Sequence, residues 1–153
     1  MKELHTEIEI NATPERVWRV LTSFAAYPDW NPFVIRAEGE GRVGARLRVS
    51  IKPPGETTMS FRPRVLVADP DREFRWKGSL WIPGLFDGEH AFVIEGLGNG
   101  RVRFIQSERF QGLLVPLLWK KLNTNVRFGF EEMNRALKSR AESAESPKSN
   151  WRP

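Results

Sequence analysis

A chain of 153 residues, 40% hydrophobic and 28% charged, has the size and composition of one globular domain rather than of a fibrous or disordered segment. It contains no cysteine and only two histidines, His5 and His90, which excludes a disulfide framework, a thiolate metal site and a multi-histidine metal centre. The net charge of +5 rests on 24 basic residues, 17 of them Arg, scattered along the chain with no aromatic–basic RNA-binding signature, so a solvated basic surface is expected and no nucleic-acid partner.

No apolar run reaches the roughly 18–20 residues of a membrane span, and Met1–Ile10 lacks the apolar core of a signal peptide. A cytoplasmic protein without membrane insertion is therefore expected. Leu4, Ile8 and Ile10 alternate with Glu7 and Glu9, the pattern of a half-buried strand. A helix follows: Thr13 is a capping residue, Pro14 fits the first helical position, and Glu15 suits the positive end of the helix dipole. Its apolar stripe runs through Val17, Trp18, Val20, Leu21 and Phe24 and ends before Pro28, in an aromatic-rich turn over Tyr27–Pro32.

Six strands are then predicted, at about Phe33–Glu40, Ala45–Lys52, Thr57–Ala68, Glu73–Gly78, Phe86–Glu95 and Arg101–Phe110. Pro63 marks an edge or bulge in the third of them. Ser79–Leu85, broken by Pro83-Gly84, reads as a loop, and Gly96–Gly100 as a hairpin turn. That glycine-rich turn is followed by no helix, which argues against a dinucleotide site. From Leu113 to about Arg140 the apolar period becomes helical, with Leu114, Leu118, Leu122, Val126, Phe130, Met133 and Leu137 on one stripe. Asn123-Thr124-Asn125 is a run of weak helix formers where a bend or loosened turn is expected. Residues 1–142 thus read as a single domain and 143–153 as a polar tail.

Strand, helix, six strands and long helix fit an α+β fold, with one antiparallel sheet whose inner face meets the final helix. Large rings crowd the inward positions, but so do three polar residues, His90, Gln106 and Glu108. An unsatisfied buried polar group costs about 1–3 kcal/mol, so these three either bond one another or face a cavity. An apolar hollow with a few convergent polar groups has the character of a ligand site. Trp76, Phe92, Phe104 and Phe110 would line it from the sheet, and Leu114, Leu118, Leu122 and Val126 from the helix. Trp30, Phe33, Trp81, Leu85 and Phe86 would form its lip. Each of these apolar side chains is also what plain core packing requires. His90 suits either hydrogen bonding to a ligand or acid–base work, with Glu108 to polarise it and Gln106 to position it.

The sequence resembles the START-related lipid-transfer and polyketide cyclase/dehydratase (SRPBCC) superfamily. The likeness is carried by Ile8–Trp18, Phe24–Phe33, Gly88–Phe92 and Glu108–Gly112, and it extends over Leu4 to Arg140. It implies a helix-grip fold: seven antiparallel strands in a sheet wrapped around the C-terminal helix, two short helices after the first strand, and a cavity for a hydrophobic ligand. The expected function is binding of a lipid-like or aromatic-polyketide-like molecule, with no cofactor and no metal. Two alternatives stay open beside it. One is a cofactor-independent cyclase or dehydratase in which His90 removes a proton and Glu108 or a water returns one. The other is a chaperone-regulating module similar to the superfamily's Hsp90-activator members.

Overall fold

The computed structural model describes residues 1–143, so all but the first residue of the expected tail over 143–153 lies outside the described residues. The chain opens with β1 (Lys2–Ile10), whose inner face carries Leu4, Thr6, Ile8 and Ile10. Helix α1 (Pro14–Thr22) starts where the sequence places it. The Thr13 side chain accepts the Arg16 N–H at 3.2 Å, and Pro14 needs no partner at the helix start. Its apolar side buries Val17, Val20 and Leu21. A single 3-10 turn, Phe24–Ala26, leads into the one-turn helix α2 (Tyr27–Trp30), which has Pro28 in its first turn where a bare turn was expected. Tyr27 is fully buried, and its hydroxyl donates to the Leu21 carbonyl.

Among the described residues eight strands form two antiparallel sheets, not seven in one sheet. Strands β2 (Val34–Glu38), β3 (Arg48–Ile51) and β4 (Met59–Phe61) make a three-stranded sheet. The larger sheet has the order β1-β8-β7-β6-β5, with β5 (Arg64–Asp69), β6 (Glu73–Leu80), β7 (Phe86–Gly98) and β8 (Arg101–Gln111). The break falls within the third expected strand. Pro63 has no N–H to give a ladder, so the chain leaves β3 at Phe61 and rejoins β6 from Arg64. The two sheets stay tied at this corner: Leu47 N–H donates to the Pro63 carbonyl at 2.8 Å and Val65 N–H to the Ala45 carbonyl at 2.8 Å. Residues 79–80, expected in a loop, extend β6 and pair with Asp87 and Phe86.

The inner face of the large sheet is arranged in rows. Trp76, His90, Glu108 and Leu4 lie side by side across β6, β7, β8 and β1; Phe74, Phe92, Gln106 and Thr6 form the next row. On the outer face arginines alternate with carboxylates, as in Arg75–Glu89 at 2.9 Å and Arg103–Glu95 at 3.1 Å. The C-terminal helix covers the inner face in three pieces: α3 (Val115–Lys121), a π turn over Leu122–Val126, and α4 (Arg127–Glu142). The π turn contains the Asn123-Thr124-Asn125 run. Helix α4 packs on β1 and α1 and buries Phe130, Met133 and Leu137. At Gly129 a side chain would run into the Phe33 ring, so the helix there approaches β2 as closely as only glycine permits. Among the described residues no helix is long and apolar enough to cross a membrane.

Candidate functional site

Where the two sheets diverge, the strands and the π turn leave a pocket. Phe33 reaches it because Asn31 Oδ1 accepts the N–H groups of Phe33 and Val34 at 3.0 and 2.9 Å, fixing the entry into β2. The small sheet adds Ile51, Met59 and Phe61, the large sheet Trp76, Leu80, Phe86 and Phe110, and the π turn its two ends, Leu122 and Val126. The interior cavity measures about 60 Å³, and the empty space reaches about 570 Å³ with the open mouth included. At 10–15 Å³ per water, the interior holds a handful of waters.

The walls are almost wholly apolar; the polar lining residues are His90 and Glu108, paired on adjacent strands, and Ser79, which alternation along β6 sets on the face opposite Trp76 and Leu80. Ser79 donates its hydroxyl proton to Asp87 Oδ1 at 2.7 Å. His90 is 3% exposed and set among rings, stacked on Phe92 at 4.4 Å between centroids and flanked by Phe130 at 4.9 Å and Trp76 at 5.5 Å. Its Nε2 is hydrogen-bonded with Gln106 Oε1 at 2.9 Å, while its Nδ1 lies 3.2 Å from Glu108 Oε1 without the alignment of a hydrogen bond. The network continues away from the pocket: Gln106 Nε2 donates to Asn134 Oδ1 at 2.7 Å, Asn134 Nδ2 to Thr6 Oγ1 at 2.9 Å, and Thr6 Oγ1 to the Gln106 carbonyl at 2.9 Å. Glu108 differs from the rest. Its Oε2 lies over Gly88, another pocket residue, and has no hydrogen-bond partner among the described residues.

Of the residues expected to line a cavity, Phe33, Trp76, Phe86, His90, Glu108, Phe110, Leu122 and Val126 do so. The others sit elsewhere, each for a visible reason. Phe92 lies one row deeper and Phe104 two, stacked on each other at 6.2 Å and fully buried. Gln106 turns towards α4 to meet Asn134. Leu114 precedes the first turn of α3 and donates its N–H to the Leu85 carbonyl, while Val115 takes the buried position. Leu118 is only half-buried on α3. Trp30 packs edge-on against Tyr27 at 5.3 Å and does not reach the mouth. Trp81 is 65% exposed and holds a left-handed backbone at φ 66°, its ring edge-on to Phe86 at 6.0 Å, outside the pocket lining.

Two members of the network, Thr6 and Asn134, were not singled out from the sequence. Both carried a usable signal. Thr6 is the polar residue on the register of Leu4, Ile8 and Ile10, and Asn134 lies between Met133 and Leu137, four residues after Phe130, on the buried stripe. Among the described residues no group of three or more metal-ligating side chains comes together.

A family model described as polyketide cyclase / dehydrase and lipid transport matches residues 1–142. No curated protein matches the sequence. Solved structures do match in three dimensions. The ZhuI aromatase/cyclase from Streptomyces sp. R1128 superposes with a TM-score of 0.76 at 17% identity, covering 92% of this chain and 93% of that one. A START superfamily protein from Mycobacterium smegmatis gives 0.74 at 20% identity, over 92% and 97% of the two chains. Norcoclaurine synthase from Thalictrum flavum, in complex with dopamine and hydroxybenzaldehyde, gives 0.72 at 16% identity, over 95% and 89%. At such identities the likeness is one of fold.

Proposed function

The chain belongs to the polyketide cyclase / dehydrase and lipid transport family, and from that membership we propose that it binds a hydrophobic small molecule in the pocket between the two sheets and the π turn. One observation carries this reading: apolar walls from both sheets and the helix close on a single ionisable pair, Glu108 and His90. Apolar burial at about 25 cal/mol per Å² supplies the affinity, offset by the ordering of ligand and side chains. Because the interior is small, loading requires its walls to part. The segment 81–85 and the start of α3 border the pocket's Leu80 and Phe86 and are joined by two main-chain bonds, Leu113 N–H to the Gly84 carbonyl and Leu114 N–H to the Leu85 carbonyl, both 3.0 Å. In this reading they move as one flap.

A second reading, proton transfer of the cyclase or dehydratase kind, is favoured by the same pair, since an acid and a base in contact at the end of an apolar pocket are suited to it. In that case Glu108 meets the substrate, because its Oε2 has no partner among the described residues while His90 Nε2 is held by Gln106. Native mass spectrometry after incubation with a library of apolar small molecules tests the binding reading. Ligand adducts are expected for the natural chain and not for Val126→Phe, which fills the cavity. A chain that takes up nothing, or a variant that loads equally well, contradicts it.

A further inference from the structure

The direction of every hydrogen bond in the buried network follows from two main-chain carbonyls, which can only accept. Thr6 Oγ1 must donate to the Gln106 carbonyl, so the atom of Asn134 that meets Thr6 must itself donate and is Nδ2. Asn134 then presents Oδ1 to Gln106, whose Nε2 donates to it. The Phe130 carbonyl, 3.4 Å from the same nitrogen, requires the same orientation independently. Gln106 therefore turns its oxygen to His90, and His90 carries a proton on Nε2. Its Nδ1 faces Glu108 Oε1 at 3.2 Å. Glu108 Oε2 meets no donor among the described residues and is left as an acceptor facing the pocket.

Resting on the ligand-binding reading above, we propose that this oxygen selects the ligand: the pocket takes a neutral apolar molecule that donates a hydrogen bond from a hydroxyl, and rejects the carboxylate of the same skeleton. The Ser79 proton is committed to Asp87, and neither Lys nor Arg lines the pocket. A carboxylate would thus lie beside Glu108 with neither a cation nor a free donor to meet it, whereas a hydroxyl makes one charge-assisted bond. Thr6, Gln106 and Asn134 act on the ligand only through His90 and are positioning residues.

Calorimetric titration of the full chain with naphthalene, 2-naphthol and 2-naphthoate at neutral pH tests the selection. The expected result is that 2-naphthol binds about tenfold or more tightly than 2-naphthoate, and more tightly than naphthalene. In Glu108→Gln the gap between naphthol and naphthoate is expected to shrink to within about threefold. Naphthoate binding as well as naphthol, naphthalene matching naphthol, or unchanged discrimination in Glu108→Gln overturns the selection while leaving apolar binding in place. Failure of all three probes overturns the ligand-binding reading and the selection with it. Nitrogen-15 NMR of the histidines tests the proton inventory without any ligand. A protonated Nε2 on His90 is expected in the natural chain; a bare Nε2 overturns the chain of donors.

Discussion

Gly88 and Glu108 share one space: a β-carbon at position 88 would collide with Glu108 Oε2. Gly88 is buried in mid-strand, so its hydrogen is the floor on which the carboxylate rests. The obstacle is the far end of a flexible side chain, which moves cheaply. Gly88→Ala is therefore expected to fold normally, its Tm within a few degrees of the natural chain, since alanine in a strand gains about 0.5–1 kcal/mol over glycine. The displaced carboxylate loses His90, and affinity for 2-naphthol is expected to fall about tenfold, read by the same titration. Unchanged affinity would mean that Glu108 does not meet the ligand.

Gly129 on α4 is the opposite case. Alanine there improves helix propensity by about 1 kcal/mol. Yet its β-carbon would enter the ring of Phe33, which is 2% exposed and packed edge-on against Phe130 at 5.4 Å. Overpacking of this kind costs about 1–3 kcal/mol. Thermal denaturation of Gly129→Ala is expected to show a net loss of stability, about 2–4 °C in Tm per kcal/mol. Adding Phe33→Leu should restore part of it; a double variant no better than Gly129→Ala contradicts the steric cause.

The Thr6–Asn134 bond is buried at both ends, so removing either partner strands the other. Thr6→Val and Asn134→Leu are each expected to cost about 1–3 kcal/mol in chemical denaturation. Together they should cost clearly less than the sum, by about 0.5 kcal/mol or more. Additive losses would mean that the two side chains do not depend on each other.

Tyr27 is the single tyrosine of the chain, so alkaline absorbance reads it alone. Burial pushes its phenol above the ordinary range. The folded chain then keeps a proton that the unfolded chain releases near pH 10. This contribution to stability is whole below that pH and is lost as pH rises above it. Tyrosinate absorbance is expected to appear only with unfolding; a reversible titration near pH 10 in folded protein contradicts the burial.

Much of this architecture can be read from local patterns. Thr13-Pro14-Glu15 starts α1, the alternation at Leu4–Ile10 gives β1, and Asn123-Thr124-Asn125 marks the π turn. What escapes local reading depends on pairing. The division into two sheets turns on which neighbours claim the N–H groups around Pro63, a choice made by strands distant in sequence. The pocket's polar end was legible because His90 and Glu108 interrupt apolar registers. Phe92 and Phe104, by contrast, share the face of the pocket residues and differ only by row, which alternation cannot distinguish. Leu114 and Leu118 fit a straight helical stripe. The π turn adds a residue to that helix and moves them away from the hollow.

A crystal structure of the chain grown with 2-naphthol tests the pocket most directly. The expected density is a ring system between Trp76, Phe110 and Leu122, its hydroxyl at hydrogen-bond distance from Glu108 Oε2, with residues 81–85 and 113–114 displaced outward together. A ring bound instead on the exposed surface of Trp81, Leu113 and Leu117, with the interior closed, would contradict it.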